Sequence, residues 1–96
     1  MKVRLSPLAR RDLDLIWTFT VERWGKVVAE RYARDLAADF DRLAANPRQG
    51  MDVAFIRPGY RRLPARSHSI YYRIETDAIV VIRILHQSQD VDSQLP

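Results

Sequence analysis

Ninety-six residues with 16 Lys and Arg against 12 Asp and Glu, a net charge of +4, are sized for one small domain over 1–96 with a modest core, a folded body over 1–86 and a partly mobile tail over 87–96. There is no cysteine, which excludes disulfides and thiolate metal sites and gives no sign of secretion, so a cytoplasmic location is expected. No stretch approaches the roughly 20 apolar residues of a membrane span, and the opening MKVRLSP lacks the apolar core of a signal peptide, so no membrane partner is expected.

Lys2 to Leu5 reads as a short strand, with Val3 and Leu5 on one side and Lys2 and Arg4 on the other. Ser6-Pro7 stops it and starts a helix: serine accepts a bond from a free helix amide, and proline at the first helical position has no N–H to waste. Helix 1 runs to about Trp24, and Gly25 suits a left-handed helix end. The helix carries two apolar stripes, Ala9, Leu13, Ile16, Trp17, Thr20 and Trp24 on one side and Leu8, Leu15 and Phe19 on another. One surface cannot absorb both. The simpler reading lets one stripe meet the sheet and the other helix 2; the functional reading leaves Leu15, Trp17 and Phe19 as an open groove for a partner's helix.

Helix 2, from about Val27 to Ala45, has a single stripe of Ala29, Tyr32, Ala33, Leu36, Phe40, Leu43 and Ala44. Arg31, Arg34, Asp35, Asp39, Asp41 and Arg42 read as a solvated face, with Glu30–Arg34 and Arg31–Asp35 as i,i+4 pairs. With only Gly25 between them the helices form a tight hairpin, and Asn46-Pro47 breaks the second.

Residues 46–59 read as a loop tucked onto the core through Val53, Phe55 and Ile56. Tyr60 to Arg66 contains Pro64, which places that strand at an edge or breaks it there. His68 to Glu75 and Ile79 to His86 are the strongest strands, dense in β-branched and aromatic residues. Their even positions Ile70, Tyr72, Ile74, Val80, Ile82 and Ile84 are apolar and form the core face, while Ser69, Tyr71, Arg73, Glu75 and Arg83 form a mixed, open face. An odd loop, Thr76 to Ala78, keeps that parity and sets Tyr71 opposite Arg83, Ile70 opposite Ile84 and His68 opposite His86; an even loop requires a bulge. The tail after His86 has only Val91 and Leu95 as anchors. The fold class is α+β, in the order β-α-α-β-β-β, a helical hairpin packed on one face of a small antiparallel sheet.

Three scattered glycines build no phosphate-cradling loop and no Cys/His metal spacing exists, so neither metal nor cofactor is expected. Serine hydrolysis would need His68 to serve Ser67 or Ser69, its neighbours on the opposite strand face. A metal-free nuclease could draw on His68, His86, Arg62, Arg73 and Arg83, but parity separates the histidines from Arg73 and Arg83, so no catalytic residue is assigned. Residues 57–86 hold six arginines against Glu75 and Asp77, a basic patch that leaves direct nucleic-acid contact open.

Read together, LARRDLDLIWTFTVERWG at 8–25, AERYARDLAADFDRLAANPRQG at 29–50, RPGYRR at 57–62, and HSIYYRI and IVVIRILH with Asp90 at 68–90 resemble the ParE branch of the RelE/ParE toxin superfamily of bacterial type II toxin–antitoxin modules. The resemblance implies a RelE/ParE-like fold and a toxin of a plasmid- or chromosome-stabilising module, held inactive by a cognate ParD-like antitoxin whose C-terminal segment lies across it. ParE-like members are described as poisoning DNA gyrase, RelE-like members as cutting mRNA on the ribosome with a basic cluster and, commonly, a tyrosine near the C-terminus. Residues 87–96 contain no tyrosine, lysine or arginine, which favours a gyrase inhibitor, not itself an enzyme, over the alternatives of a ribosome-dependent endoribonuclease or an inactive binding-only member. Arg62, Tyr71, Arg73 and Arg83 are then the sheet-face residues expected to meet target or antitoxin, and Tyr60, Arg61, His68 and His86 are family-motif residues of structural or functional role.

Overall fold

A computed structural model describes all 96 residues. The elements are β1 (Lys2–Leu5), α1 (Pro7–Trp24), α2 (Lys26–Ala45), a 3₁₀ turn (Pro47–Gln49), β2 (Met51–Asp52), β3 (Arg61–Ala65), β4 (His68–Ile74), β5 (Ala78–His86) and α3 (Val91–Gln94). The Ser6 hydroxyl accepts the Ala9 N–H at 3.0 Å and donates to the Ile82 carbonyl at 2.6 Å, so one side chain caps α1 and ties it to β5. Gly25, at φ +91°, ends α1 with its N–H on the Val21 carbonyl and opens α2 with its own carbonyl accepting from Ala29.

The sheet has five strands in the order β1-β5-β4-β3-β2, one more than the sequence suggested. It is mixed: β1 pairs parallel with β5, and every other pair is antiparallel. The added strand β2 sits at the outer edge, where it covers Arg61 and Arg62 but stops short of Pro64, so the proline lies on an unpaired stretch of edge.

Between β4 and β5 the expected pairs His68–His86, Ile70–Ile84 and Tyr71–Arg83 form, but the next pair is Tyr72 with Val81 and the last Ile74 with Ile79. The turn is even, with Thr76 and Asp77 between a Glu75 N–H and the Ala78 carbonyl at 2.7 Å, and Ile82 is the bulged residue that reconciles it with the far end of the ladder. Parity therefore inverts along β5. Ile79 and Val81 join Ile70, Tyr72 and Ile84 in the core beneath Ala9, Leu36 and Leu43, while Ile82, expected on that face, crosses to the other side with Tyr71 and Leu85.

That second face is not open. Val53, Tyr60 and Leu95 complete a second apolar cluster over it, flanked by Ile56, Val80 and Val91, and Tyr71 is only 3% exposed. A strand such as AIVVIRIL, apolar on both faces, needs cover on both, and the connector and tail supply it. The tail is fastened by Arg57, which donates to the Asp92 carbonyl at 2.8 Å, and by the Tyr60 hydroxyl on the Pro96 carbonyl at 3.3 Å. Phe55, expected to tuck in with Val53 and Ile56, stands out at 80% exposure. Asp39 is also corrected: it is buried, not solvated, and takes ion pairs from Arg42 and from Arg66, which reaches it from a turn where Arg66 holds φ +59°. Lys26–Glu30, rather than the two expected i,i+4 pairs, is the exposed ion pair of α2.

Candidate partner-binding groove

The face that α1 turns to the sheet carries Ala9, Asp12 and Thr20, with Leu13 and Ile16 packed against the core. The outer stripe has nothing over it: Leu15 is 58% exposed and Phe19 60%, and Leu8 and Trp24 are exposed beside them. The simpler expectation, that helix 2 covers this stripe, does not hold, because α2 packs on the Leu13–Ile16–Trp17 flank, roughly a third of a turn away. Leu15 and Phe19 stay uncovered, which is the geometric part of the other expectation. Leu8, Leu15, Phe19 and Trp24 form one wall of a groove of about 1080 Å³ whose other side is Tyr32, Ser67, His68 and His86. Trp17 does not belong to it; that ring lines a separate cleft of about 240 Å³ with Leu36 and Phe40 of the helical hairpin.

At the groove floor the Arg83 guanidinium donates through Nε and Nη2 to the two oxygens of Asp12, at 2.8 and 2.9 Å, and through Nη1 to the Gln94 carbonyl at 2.8 Å. Asp12 accepts a third bond, 2.9 Å long, from the Ile84 N–H on the stretch of β5 that β1 does not reach. The hydrogen bonds to Asp12, set against the cost of burial and helped by the Asp12 charge, hold Arg83 above its ordinary basic range. His68 Nδ1 lies 2.6 Å from the Tyr32 hydroxyl, which is 3.1 Å from Ser67 Oγ. The His68 ring meets His86 edge to face at 5.2 Å. Burial first, and then the His86 charge, lower the His68 pKa to about 4, so at neutral pH the ring is uncharged and Nδ1 can accept a hydrogen bond from the Tyr32 hydroxyl. His86 Nδ1 lies 3.1 Å from the Ser88 N and 2.7 Å from the Ser88 hydroxyl.

The sequence-predicted sheet-face set is thus divided. Arg83 turns to the groove, on the side of the histidines, contrary to the parity expectation. Arg62 donates to Ser69 Oγ at 3.0 Å and lies with Tyr71, Met51 and Phe55 around a shallow depression of about 240 Å³ on the opposite face. Arg73 stacks on the Tyr60 ring at 5.8 Å, its Nε buried without a hydrogen-bond partner. Arg61 braces the 46–50 turn by donating to the Gly50 and Arg48 carbonyls, and Tyr60 is part of the second core, so both are structural here. Leu8, Arg11, Asp12, Arg23, Trp24 and Tyr32 are among the groove residues that sequence reasoning did not assign. Asp12 had a signal: a carboxylate three residues after Ala9 and four before Ile16 lies within the buried stripe and demands a cation.

Residues 3–91 match the family described as ParE toxin of type II toxin–antitoxin system, parDE. The chain is 49% identical over 92 residues to Toxin ParE1 of Mycobacterium tuberculosis, covering 95% of this chain and 94% of that protein. It is 41% identical over 92 residues to Toxin ParE1 of Caulobacter vibrioides, covering 96% and 95% respectively. Among solved structures it resembles a chain of the chromosomal ParDE TA system from P. aeruginosa, with a TM-score of 0.79 and 25% identity over 90% of this chain and 95% of that one.

Proposed function

Because the chain belongs to the ParE toxin family of type II toxin–antitoxin systems, we propose that it acts as the toxin of such a module, that a ParD-like antitoxin neutralises it by seating an amphipathic helix in the α1 groove, and that its target is DNA gyrase. The single observation that carries the antitoxin reading is the unpartnered stripe of Leu15 and Phe19, more than half exposed along the wall of a groove of about 1080 Å³. A helix presenting apolar residues at i, i+3, i+4 and i+7 fits that stripe. Arg11 and Arg23, one turn beyond each end of the Leu15–Phe19 pair, line the same groove with no carboxylate partner and suit acidic residues flanking the apolar anchors. Membership of a structural neighbour in a ParDE system supports the same partner class.

Target poisoning by binding, with the damage done by gyrase's own chemistry, is supported by what the chain offers a substrate. The Tyr71 face is covered, and His68 is engaged by Tyr32. The rival ribonuclease reading draws on His68, His86 and Arg83 sharing one groove. Purified protein added to a gyrase supercoiling reaction and to a purified translation reaction separates the two. Loss of supercoiling with accumulated cleaved DNA and intact mRNA is expected; codon-specific mRNA cuts with unaffected gyrase would overturn the gyrase target.

A further inference from the structure

We propose that Arg83 is a latch through which occupancy of the α1 groove controls how firmly the C-terminal segment Val91–Leu95 is seated on the opposite side of the sheet. This rests on the groove being a partner site. One guanidinium serves both places: Nε and Nη2 are held by Asp12 in the groove floor, and Nη1 holds the Gln94 carbonyl within the turn of α3. Gln94 also lines the groove, and its side-chain oxygen lies 3.4 Å from the same Nη1. The helix beyond is short. It spans four residues, its N-cap bond from Asp92 N to Asp90 is 3.3 Å long, none of its own side chains is fully buried, and the buried anchor is its C-cap, Leu95. A helix of that length does not hold itself. Its seat is Leu95 and Val91 on the second core, Arg57 on the Asp92 and Leu95 carbonyls, the Tyr60 hydroxyl on the Pro96 carbonyl, and Arg83 on the Gln94 carbonyl, the one of these contacts that also reaches the groove floor.

A planar guanidinium held through both nitrogens of its Nε–Nη2 edge has little freedom at Nη1, so whatever tightens the Asp12 bridge also aims Nη1 at Gln94. An apolar partner over Leu15 and Phe19 removes water from beside that bridge, strengthening it, and the tail is held harder as a result. By linkage, a loosened tail weakens the partner by the same factor.

The test is amide exchange in the full chain, read as the ratio of exchange at Gln94 and Leu95 to exchange at Ile70 and Tyr72 of β4, so that a general loss of stability cancels. Wild type is compared with Asp12→Asn and with Arg83→Lys, which keeps the charge but cannot reach Asp12 and Gln94 together. The latch predicts that the ratio rises about fivefold or more in both free variants. It also predicts that adding the cognate ParD-like antitoxin lowers the ratio in wild type and leaves it unchanged in Arg83→Lys. An unchanged ratio in both free variants overturns the latch. Failure of the antitoxin to protect α1 would instead remove the groove reading, while the free-chain comparison still decides whether Asp12 and the tail are coupled.

Discussion

Asp12 and Arg83 lie 71 residues apart in sequence and meet in a two-pronged bridge of 2.8 and 2.9 Å that closes the unpaired end of β5 onto α1. Both side chains are largely shielded from water, and the Asp12 carboxylate also satisfies the Ile84 N–H. Asp12→Ala strands a cation and a buried amide together, and is expected to cost about 3–5 kcal/mol, measured by urea unfolding. Arg10→Ala, an exposed neighbour on the same helix, is expected to stay within about 0.5 kcal/mol of wild type. Equal losses at the two positions would show that the bridge contributes nothing.

Gly50 is a second point of low tolerance, for a steric reason. A Cβ there would sit 2.5 Å from the Tyr72 hydroxyl oxygen and 2.8 Å from the Arg62 carbonyl. Tyr72 is fully buried and its hydroxyl both accepts the Gly50 N–H at 2.9 Å and donates to the Pro47 carbonyl at 2.7 Å. Gly50→Ala is therefore expected to lower stability by about 1–3 kcal/mol. Gly25→Ala meets no atoms, and its cost, also about 1–3 kcal/mol, comes from the backbone alone, whose φ of +91° and ψ of 168° are essentially reserved for glycine. Thermal unfolding of the two variants checks both losses.

The His68 environment sets a pH dependence with a defined sign. Its pKa is about 4 in the folded chain against 6.5 when unfolded, so between those values the unfolded chain takes up a proton that the folded chain refuses. The stability tied to a neutral His68 is complete above pH 6.5, falls as pH drops through the window, and is gone below about pH 4. His68→Gln is expected to flatten the stability profile across that window, as measured by unfolding midpoints at successive pH values. A profile equally steep in the variant would assign the dependence to other groups.

Leu15 and Phe19 contribute little to the fold because they cover nothing. Phe19→Ala and Leu15→Ala are expected to leave unfolding midpoints nearly unchanged while each weakens antitoxin binding by about 30-fold or more, the loss typical of a central apolar anchor. Wild-type binding should show a negative heat-capacity change, and its association rate should fall with added salt because Arg11 and Arg23 flank the stripe. Titration calorimetry of the variants against wild type tests both.

Local chemistry made much of this fold legible. Ser6-Pro7, Gly25 and Asn46-Pro47 mark the helix ends where the structure puts them, and the two stripes of α1 announced a surplus of apolar surface before any groove was seen. The bulge at Ile82 was not legible, since alternation alone does not distinguish an odd loop from an even loop with one extra residue, and every side chain from Ile79 to Ile82 changed face with that choice. Nor was β2, two residues with no pattern of their own, held beside β3. Asp39 looks like a solvated helix charge until Arg66 arrives from a turn far along the chain, whereas Asp12 stands within the buried stripe and only its partner, Arg83, 71 residues away, was hidden. The covered Tyr71 face was hidden for a similar reason, because its cover comes from a connector and a tail whose few apolar residues carry no periodicity.

The groove itself is tested most directly by amide exchange across the chain with and without the antitoxin. Strong protection is expected along α1 from Arg11 to Trp24 and at the hairpin ends around Ser67, His68 and His86, which line the same groove. Protection confined to residues 46–59, with α1 and the β4–β5 hairpin unchanged, would contradict it.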